Sequence, residues 1–457
     1  MDFTPQQAIL ELGDSFYDPV AAARFPQTIL RFRNDRAAAQ VGLDGLSDDE
    51  WIAHFGRFEP LAGSLPAPLA LRYHGHQFRV YNPEIGDGRG FLFAQMRDAQ
   101  GRLIDLGTKG SGQTPYSRFG DGRLTLKGGV REILATEMLE ALGVETSRTF
   151  SLIETGEELH RGDEPSPTRS SVLVRMSHGH IRIGTFQRLA HFQETEALAQ
   201  LVAYVLRHYY GEEPGEDAAA RLLGHVVART ATMAARFMAA GFVHGVLNSD
   251  NINVTGESFD YGPWRFAPFW EPGFTAAYFD HAGLYAFGRQ PEAIYWDAMQ
   301  LAISLRPLAE EDALIAAMET FPEVYQREVT AALLWRLGVT PRGTEADRVL
   351  AQVLERALAE TLTPLDQFFF DAFGGNLPAH YGEAFDDLRG QLAFYQPRKP
   401  ALSGAEGARD HAYWSGAPCS MLIDEVEAIW AAIAERDDWA PLHAKVAAIR
   451  AMADALR

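Results

Sequence analysis

The sequence predicts an α+β fold with two lobes, a β-rich part followed by an α-rich part. Short β-like runs separated by glycine dominate from residue 71 to about residue 186. After Gln193, apolar residues recur at helical spacing almost to the end of the sequence. Strands grouped first and helices grouped later are typical of α+β proteins, in which helices are segregated from an antiparallel sheet.

Composition narrows the class of protein. The 457 residues are 47% apolar and 22% charged, which is typical of a soluble globular protein of two or three domains. The net charge of −20 argues against a protein that binds nucleic acid or an anionic membrane. Cys419 is the single cysteine, so neither an internal disulfide nor a cysteine metal cluster can form. No long apolar span and no signal-like N-terminus are recognisable, so we expect a cytoplasmic protein.

The changes in texture along the chain predict four segments. Residues 1–70 are expected to be an N-terminal extension that packs on the lobes, and residues 71–190 a β-rich lobe. Residues 191–395 are expected to form an α-rich lobe. A connector rich in Pro, Gly and Ser at 396–419 opens a C-terminal helical extension over 396–457.

In the β-rich part, two β-like runs at 72–81 and 91–96 flank the glycine-rich stretch Gly86-Asp-Gly-Arg-Gly90. This pattern predicts a hairpin whose backbone N–H groups could approach phosphate closely. Taken alone, the glycines are more often a plain tight turn. The next run ends at Lys109, and a second glycine-rich loop extends through Gly122.

A helix is predicted at about 128–142, with Glu132 beside its apolar stripe and Gly143 as its C-cap. Residues 149–186 return to β texture in three runs, the last of them His180-Ile-Arg-Ile-Gly184. Arg175 and Arg182 interrupt these apolar runs, so either side chain could project inward. Further helices are predicted at 198–210, 218–240, 291–304, 309–319, 323–336, 344–361, 423–435 and 441–456.

The stretch richest in chemistry runs from His244 to Asn251 and is followed by Asp260-Tyr-Gly262. Asp250, Asn251 and Asp260 supply two carboxylates and a carboxamide, oxygen ligands that suit Mg²⁺. The order resembles that of protein kinases, where a His-Arg-Asp loop leads to a metal-binding Asn and then to Asp-Phe-Gly. Val246 occupies the place of the catalytic aspartate, so Asp250 is the only carboxylate in the loop. The apolar pair Ile252 and Val254 predicts a short strand or hairpin between the two motifs.

Four features therefore follow one another: a glycine loop, Lys109 on a strand, Glu132 on a helix, and a metal-binding pair after a long helix. In a kinase-like phosphotransfer site, Lys109 would hold a nucleotide phosphate and Glu132 would fix the lysine. The order predicts a protein-kinase-like two-lobed fold with additional C-terminal helices. In this fold residues 71–190 would be the nucleotide-binding lobe and residues 191–395 the catalytic lobe.

The sequence also resembles the SelO family, known as well as YdiU, of kinase-fold protein adenylyltransferases. The resemblance covers roughly residues 10–305. The motifs that carry it are Leu71–Phe78, Tyr81–Gly90, Leu106–Arg123, Arg131-Glu132, Ser177–Gly184, His244–Asn251 and Asp260–Pro263.

The resemblance implies transfer of AMP from ATP to Ser, Thr or Tyr hydroxyls of proteins, with release of pyrophosphate and with ATP flipped relative to kinases. It implies Mg²⁺ as cofactor, with Mn²⁺ as the alternative. Asp250 would be the catalytic base, and Asn251 and Asp260 would hold the metal. The residues implied to contact or support the nucleotide are Gly86, Gly88, Arg89, Lys109, Asp121, Gly122, Glu132, Arg175, Arg182 and Asp260, with Arg175 and Arg182 on the outer phosphates.

Two other functions stay open at this point. The first is kinase-type transfer of the γ-phosphoryl group, which would release ADP. The second is a pseudokinase regulator that binds nucleotide without turnover, which the valine at position 246 would suit. Neither nucleic acid nor a membrane is expected as a partner.

Overall fold

A computed structural model describes residues 1–162, 164–399 and 407–457. The strands are β1 (Thr4–Gln6), β2 (Tyr17–Pro19), β3 (Ile29–Arg33), β4 (Leu69–Leu71), β5 (Gly75–Gln77), β6 (Val80–Asn82), β7 (Leu92–Arg97), β8 (Leu103–Lys109), β9 (Leu124–Thr125), β10 (Arg148–Leu159), β11 (Thr168–Ser177), β12 (Phe242–Val243) and β13 (Arg265–Phe266). The helices are α1 (Asp35–Ala39), α2 (Asp48–Phe55), α3 (Leu126–Ala141), α4 (Ile183–His191), α5 (Thr195–Val205), α6 (Ala218–Ala240), α7 (Gln290–Leu305), α8 (Glu311–Met318), α9 (Phe321–Arg336), α10 (Thr344–Glu360), α11 (Leu365–Ala372), α12 (Asp386–Leu392), α13 (Ile423–Arg436) and α14 (Ala440–Leu456).

The β-rich lobe is built on one antiparallel sheet, which contains nine strands in the described ranges. Its path is β2-β4-β7-β8-β11-β10-β3, with β1 paired to β7 and β9 paired to β11. Strand β8 is buried along its whole length and lies between β7 and β11. The first 70 residues contribute β1, β2 and β3, so this segment supplies part of the sheet itself.

Helix α3 packs on this sheet against β10 and β11. The N-cap Thr125 starts the helix by accepting a hydrogen bond from the Gly128 backbone N–H. A Cβ added to Gly129 would lie 2.3 Å from Leu152 Cδ1 of β10. Glycine at this position lets the helix approach the sheet closely, and Glu132 one turn later is held at a fixed distance from β8.

The α-rich lobe is organised around α6, which packs against α5, α7, α8 and α9. The apolar face of α6 is buried along its length, and Gly241 ends the helix in a left-handed conformation with φ 68°. The chain then enters β12 and the loop that contains His244 and Asp250. The α+β, two-lobed prediction is confirmed.

Three local predictions are wrong. The glycine stretch 86–90 does not close a hairpin, because β6 pairs only with β5 whereas β7 joins the main sheet, within the described ranges. The β-like run 180–184 is not a strand: it makes one isolated bridge at Arg182 and then turns into α4 at Ile183. The apolar residues at 252 and 254 flank a single bridge at Asn253 and form neither a strand nor a hairpin. Such short apolar runs fit a strand or a buried helix equally well.

Two further predictions concern the connector near the C-terminus and membrane-spanning helices. Of the predicted connector at 396–419, residues 400–406 lie outside the described residues. In the ranges that the structure describes, no helix combines the length and the apolar character needed to cross a membrane.

Glu257 provides a pH-dependent contact between the two lobes. Its carboxylate accepts a hydrogen bond of 2.6 Å from the backbone N–H of His178, which follows β11. Burial raises the pKa of Glu257 to about 7. A carboxyl group with a raised pKa in the folded state binds more protons there than in the unfolded state, so the folded state loses stability as the pH rises from the ordinary value of 4.5 through 7.

We therefore expect Glu257→Gln to raise the free energy of unfolding above pH 7, because glutamine carries no charge that burial disfavours. The gain should be only about 1 kcal/mol, because the side chain is partly exposed and solvent screens its charge. The gain should vanish at pH 4.5, where both proteins carry a neutral group at this position. Urea unfolding at both pH values measures the difference. A constant difference at both pH values would contradict the assignment.

Candidate active site

All of the predicted site residues except Glu132 line one cavity of 710 Å³ between the two lobes. The β-rich lobe contributes the two glycine-rich loops, Lys109 and Arg175. The α-rich part contributes the loop with Asp250 and Asn251 and the following Asp260. Glu132 lies behind Lys109 on α3, so it supports the cavity wall from outside.

Lys109 and Glu132 form the ion pair that their positions in the sequence predict. The Lys109 ammonium nitrogen lies 2.9 and 3.0 Å from the two carboxylate oxygens of Glu132. Both residues are buried, at 7% and 2% exposure. A buried pair with both oxygens engaged has a defined geometry, which fixes the lysine at the end of β8.

Asp260 is the centre of a cluster of three cations. Arg182 Nη1 donates to Asp260 Oδ2 over 2.7 Å, and Lys109 Nζ lies 3.2 Å from Oδ1. Arg175 Nη1 also donates to Oδ1. Burial opposes ionisation, yet the charges of Arg175, Arg182 and Lys109 hold the pKa of Asp260 well below its ordinary value. Asp260 has φ 63°, a strained conformation for a non-glycine residue, which these contacts stabilise.

Arg182 links the two carboxylate-bearing loops. Its guanidinium donates to the backbone carbonyl of Asp250 over 2.9 Å and lies 3.4 Å from Asp87 in the first glycine-rich loop. The planar group is also stacked on Tyr73, with 4.4 Å between Cζ and the ring centroid. Arg182 precedes α4 rather than lying in a strand, and this position aims it into the cavity.

Asp250 lies under the hairpin formed by β5 and β6. A Cβ on Gly75 would come within 2.9 Å of Asp250 Cβ, so glycine is required where the hairpin crosses the aspartate. The residue is 7% exposed, and its Oδ1 has no hydrogen-bond partner among the described residues. Burial raises its pKa to about 6. Asp250 thus presents a free, buried carboxylate oxygen beside the cavity.

Hydrogen bonds to the two residues before Asp250 fix this hairpin to the loop from His244 to Asn251. Ser249 Oγ accepts a hydrogen bond of 2.7 Å from the His76 N–H, and Asn248 Oδ1 accepts one of 3.1 Å from the Phe78 N–H. Tyr285 Oη donates to the same Asn248 oxygen over 2.8 Å. Sequence reasoning did not select these residues, and the only signal was their position directly before Asp250.

His244 has a structural environment. Its backbone N–H donates to Gln290 Oε1 over 3.0 Å, and its Nε2 lies 3.0 Å from the carbonyl oxygen of Phe259. Burial lowers the pKa of His244 to about 4, so the ring is neutral near pH 7. The histidine therefore ties the loop that carries Asp250 to the residue before Asp260.

The two glycine-rich loops pack against each other. A Cβ at Gly86 would lie 2.5 Å from the Tyr116 ring, and one at Gly122 would lie 2.2 Å from the backbone of Gly112. Gly86 is thus needed for contact between the loops, and Gly122 is needed where the second loop folds back on itself, whatever ligand they approach. Arg89 and Asp121 are exposed at the rim of the cavity, where Asp121 pairs with Arg161 over 2.9 Å. Asp87, inside the first loop, is a cavity residue that the sequence analysis missed.

Asn251 and Asp260 offer too few oxygen atoms to hold a hard cation by themselves. A cation bound there would take its other ligands from water and from a bound phosphate. No group of three or more His, Cys, Asp or Glu side chains that could hold a metal occurs in residues 1–162, 164–399 and 407–457. Asn251 Nδ2 donates to the Val246 carbonyl over 2.9 Å, whereas its Oδ1 accepts no hydrogen bond from the described chain. One carboxylate and one free carboxamide oxygen fit Mg²⁺, which usually takes its other ligands from water and phosphate.

Comparison with known proteins gives a consistent result. A family model described as "Protein adenylyltransferase SelO" matches residues 1–379. "Protein nucleotidyltransferase YdiU" of Gloeobacter violaceus is 46% identical over 98% of this chain and 95% of its own length. The protein of the same name from Synechocystis sp. is 43% identical over 97% of both chains. The crystal structure of a Toxoplasma gondii rhoptry antigen kinase domain aligns with 64% of this chain and 84% of its own at a TM-score of 0.29 and 9% identity, values too low to carry an argument.

Proposed function

Because the chain belongs to the SelO family of protein adenylyltransferases and is thus a nucleotidyltransferase, we propose that it transfers AMP from ATP to Ser, Thr or Tyr hydroxyls of proteins. In this reaction the hydroxyl oxygen forms a bond to the α-phosphorus, and the bond from the α-phosphorus to the bridging oxygen breaks. Pyrophosphate leaves, and the hydroxyl proton passes to a base.

The observation that carries this proposal is the cluster of Lys109, Arg175 and Arg182 around Asp260, in the same cavity as the buried carboxylate of Asp250. These three cations line the cavity, so each can contact a phosphate oxygen of a bound polyphosphate. Guanidinium groups are permanently charged, and each can donate two parallel hydrogen bonds to the oxygens of one phosphate. We infer that Arg175 and Arg182 hold the outer phosphates, which places the α-phosphate toward Asp250 with ATP flipped relative to kinases.

The other residues support this arrangement. Lys109, fixed by Glu132, would contact a phosphate, and the loop residues Gly86, Gly88 and Gly122 would bring backbone close to the nucleotide. Arg89 and Asp121 would contact it at the exposed rim. Transfer at phosphorus depends mainly on positioning and on neutralising charge, which this set of residues can supply.

Asn251 and Asp260 would hold Mg²⁺, with Mn²⁺ as the alternative. The bound metal would neutralise phosphate charge and orient the phosphate oxygens. Asp260 would then exchange part of its contact with the arginines for the cation, while those arginines turn to the phosphates. Asn251 already has its carboxamide orientation fixed by the bond to the Val246 carbonyl.

Asp250 would accept the proton from the attacking hydroxyl. It is the only carboxylate in the loop from His244 to Asn251, and a valine occupies position 246, which also lines the cavity. A base must lie within hydrogen-bond reach of the proton that it removes, and Asp250 lines the cavity in which the acceptor hydroxyl would bind.

Kinase-type transfer of the γ-phosphoryl group is the second candidate. The observation in its favour is the Lys109–Glu132 pair, which protein kinases also use to position phosphates. The two reactions differ in which phosphate stays on the acceptor. A protein that only binds nucleotide is the third candidate and would leave both labels in ATP.

The test uses ATP labelled separately on the α- and γ-phosphates, incubated with the chain and a mixed protein acceptor, with Mg²⁺, with Mn²⁺ and with a chelator. We expect protein to acquire only the α-label, together with stoichiometric pyrophosphate, and only when metal is present. The Asp386→Asn variant, which changes an exposed carboxylate on α12, is a control for changes outside the cavity and should behave as wild type. Label from the γ-phosphate alone would establish the kinase reaction instead.

A further inference from the structure

The two C-terminal helices, α13 and α14, pack directly on α3, the helix that carries Glu132. We call this pair, residues 423–456, the C-terminal brace. It lies beyond residue 379, where the match to the family model ends. The apolar faces of α13 and α14 belong to the same buried cluster as that of α3, so the brace is part of the core.

One partly buried ion pair joins α14 of the brace to α3. Arg450 of α14 donates from Nε to one Glu137 oxygen over 2.9 Å, and its Nη2 lies 2.5 Å from the other. The side chain of Glu137 is only 5% exposed, and this two-point contact engages both of its oxygens. Two-point guanidinium–carboxylate contacts are more directional than single ones.

A second set of polar contacts spreads the attachment along the brace. Glu427 of α13 pairs with Lys127 in the first turn of α3 over 2.8 Å. Asp437, between the two helices, pairs with Arg169 of β11 over 2.7 Å and with Arg31 of β3 over 3.2 Å. The brace therefore connects α3 to strands of the same sheet on which α3 packs.

The geometry of α3 relates this attachment to the active site. Glu132 and Glu137 are five residues apart, which separates them by about 140° around the helix axis. Lys109 engages the first of these glutamates, and Arg450 engages the second. The helix is held from two directions, by the sheet lysine on one side and by the brace on the other.

We propose that the C-terminal brace positions α3, and that Arg450 is a positioning residue that keeps Glu132 in contact with Lys109. This proposal rests on the proposed function, in which Lys109 contacts a phosphate of ATP. Loss of the Arg450 contact would leave Glu137 buried without its cation and allow α3 to move away from the sheet. Lys109 would then turn from Glu132 to Asp260, its other carboxylate neighbour, and would be less available to a phosphate.

The test compares Arg450→Ala with Arg450→Lys and Lys445→Ala in the full chain. Lys445 pairs with Glu425 inside the brace over 3.0 Å, so its loss weakens the brace without removing the pair with Glu137. ATP affinity is measured with Mg²⁺ well below the unfolding temperature, and hydrogen exchange of the α3 amides is measured without nucleotide. We expect Arg450→Ala to weaken ATP binding about tenfold and to speed exchange in α3, while Lys445→Ala stays near wild type. Arg450→Lys should recover most of the affinity.

Unchanged ATP affinity together with unchanged α3 exchange in Arg450→Ala would overturn the proposal. An equal loss of affinity in Lys445→Ala would overturn the role of Arg450 as a positioning residue, because a general loosening of the brace would then explain both losses. If Arg450→Ala fails to fold, Glu137→Gln gives the same comparison from the α3 side. If wild type does not bind ATP, the proposed function is wrong, and the exchange measurement alone decides whether the brace holds α3.

Discussion

Asp250→Asn is expected to lower the rate of AMP transfer by about 10²- to 10⁴-fold while leaving ATP affinity nearly unchanged. Asparagine has the shape of the aspartate but cannot take a proton from the acceptor hydroxyl. The space for the side chain is set by Gly75 and by the buried surroundings, so the substitution should not displace it. Single-turnover rates with α-labelled ATP, measured beside equilibrium ATP binding, separate loss of chemistry from loss of binding.

The matched control is Asp347→Asn. Asp347 is also buried, and it accepts hydrogen bonds from Arg342, Gly343 and Tyr395 in the α-rich part, so the control reports the general cost of neutralising a buried aspartate. We expect it to lower stability and to leave the transfer rate within about twofold of wild type. If Asp250→Asn keeps a third or more of the wild-type rate, Asp250 is not the base.

Asp260→Asn is expected to destabilise the unliganded protein by about 3–5 kcal/mol, because it leaves buried cations without their shared counter-charge. Lys109 retains Glu132, and Arg182 retains the more distant Asp87. Arg175 is the most affected, since Asp260 is its only ion-pair partner in the described ranges. Urea unfolding without nucleotide measures the loss.

The control for this effect is Asp437→Asn, because Asp437 also pairs with two arginines, Arg31 and Arg169, but its side chain is 51% exposed. Exposed pairs contribute little, so its loss should cost no more than about 1 kcal/mol. Tripolyphosphate should recover part of the stability of Asp260→Asn, since phosphates would replace the missing carboxylate beside the arginines. Equal losses for the two variants, or no recovery with tripolyphosphate, would contradict the view of this cluster as a polyphosphate site.

The sequence predicted the long helices and the order of the site residues well. Helix α6 begins and ends at the predicted residues 218 and 240, because 23 residues of apolar periodicity and a following glycine leave little ambiguity. The lysine, the glutamate and the two metal-site residues were found because their order along the chain resembles that of a known arrangement. Their assigned roles in binding and catalysis stay predictions.

What the sequence could not reveal depends on contacts between distant segments. Gly75 is unremarkable in a β-like run, and only the folded chain shows that it crosses Asp250. The first loop needs glycine at position 86 because the Tyr116 ring of the second loop packs there, which no local pattern records. Arg182 has apolar neighbours on both sides, so the local pattern predicts a strand, although helix α4 begins at the next residue. In each case tertiary packing decided a question that local spacing left open.

The packing of the C-terminal helices on α3 also has a thermodynamic consequence in the opposite direction. Linkage requires that two coupled sites influence each other by the same free energy. If packing of the helices increases nucleotide affinity by a given free energy, the bound nucleotide must stabilise those helices against local unfolding by the same free energy. The far end of the chain would then report occupancy of the cavity: protease cleavage within residues 423–456 should slow when ATP binds, although none of these residues lines the cavity.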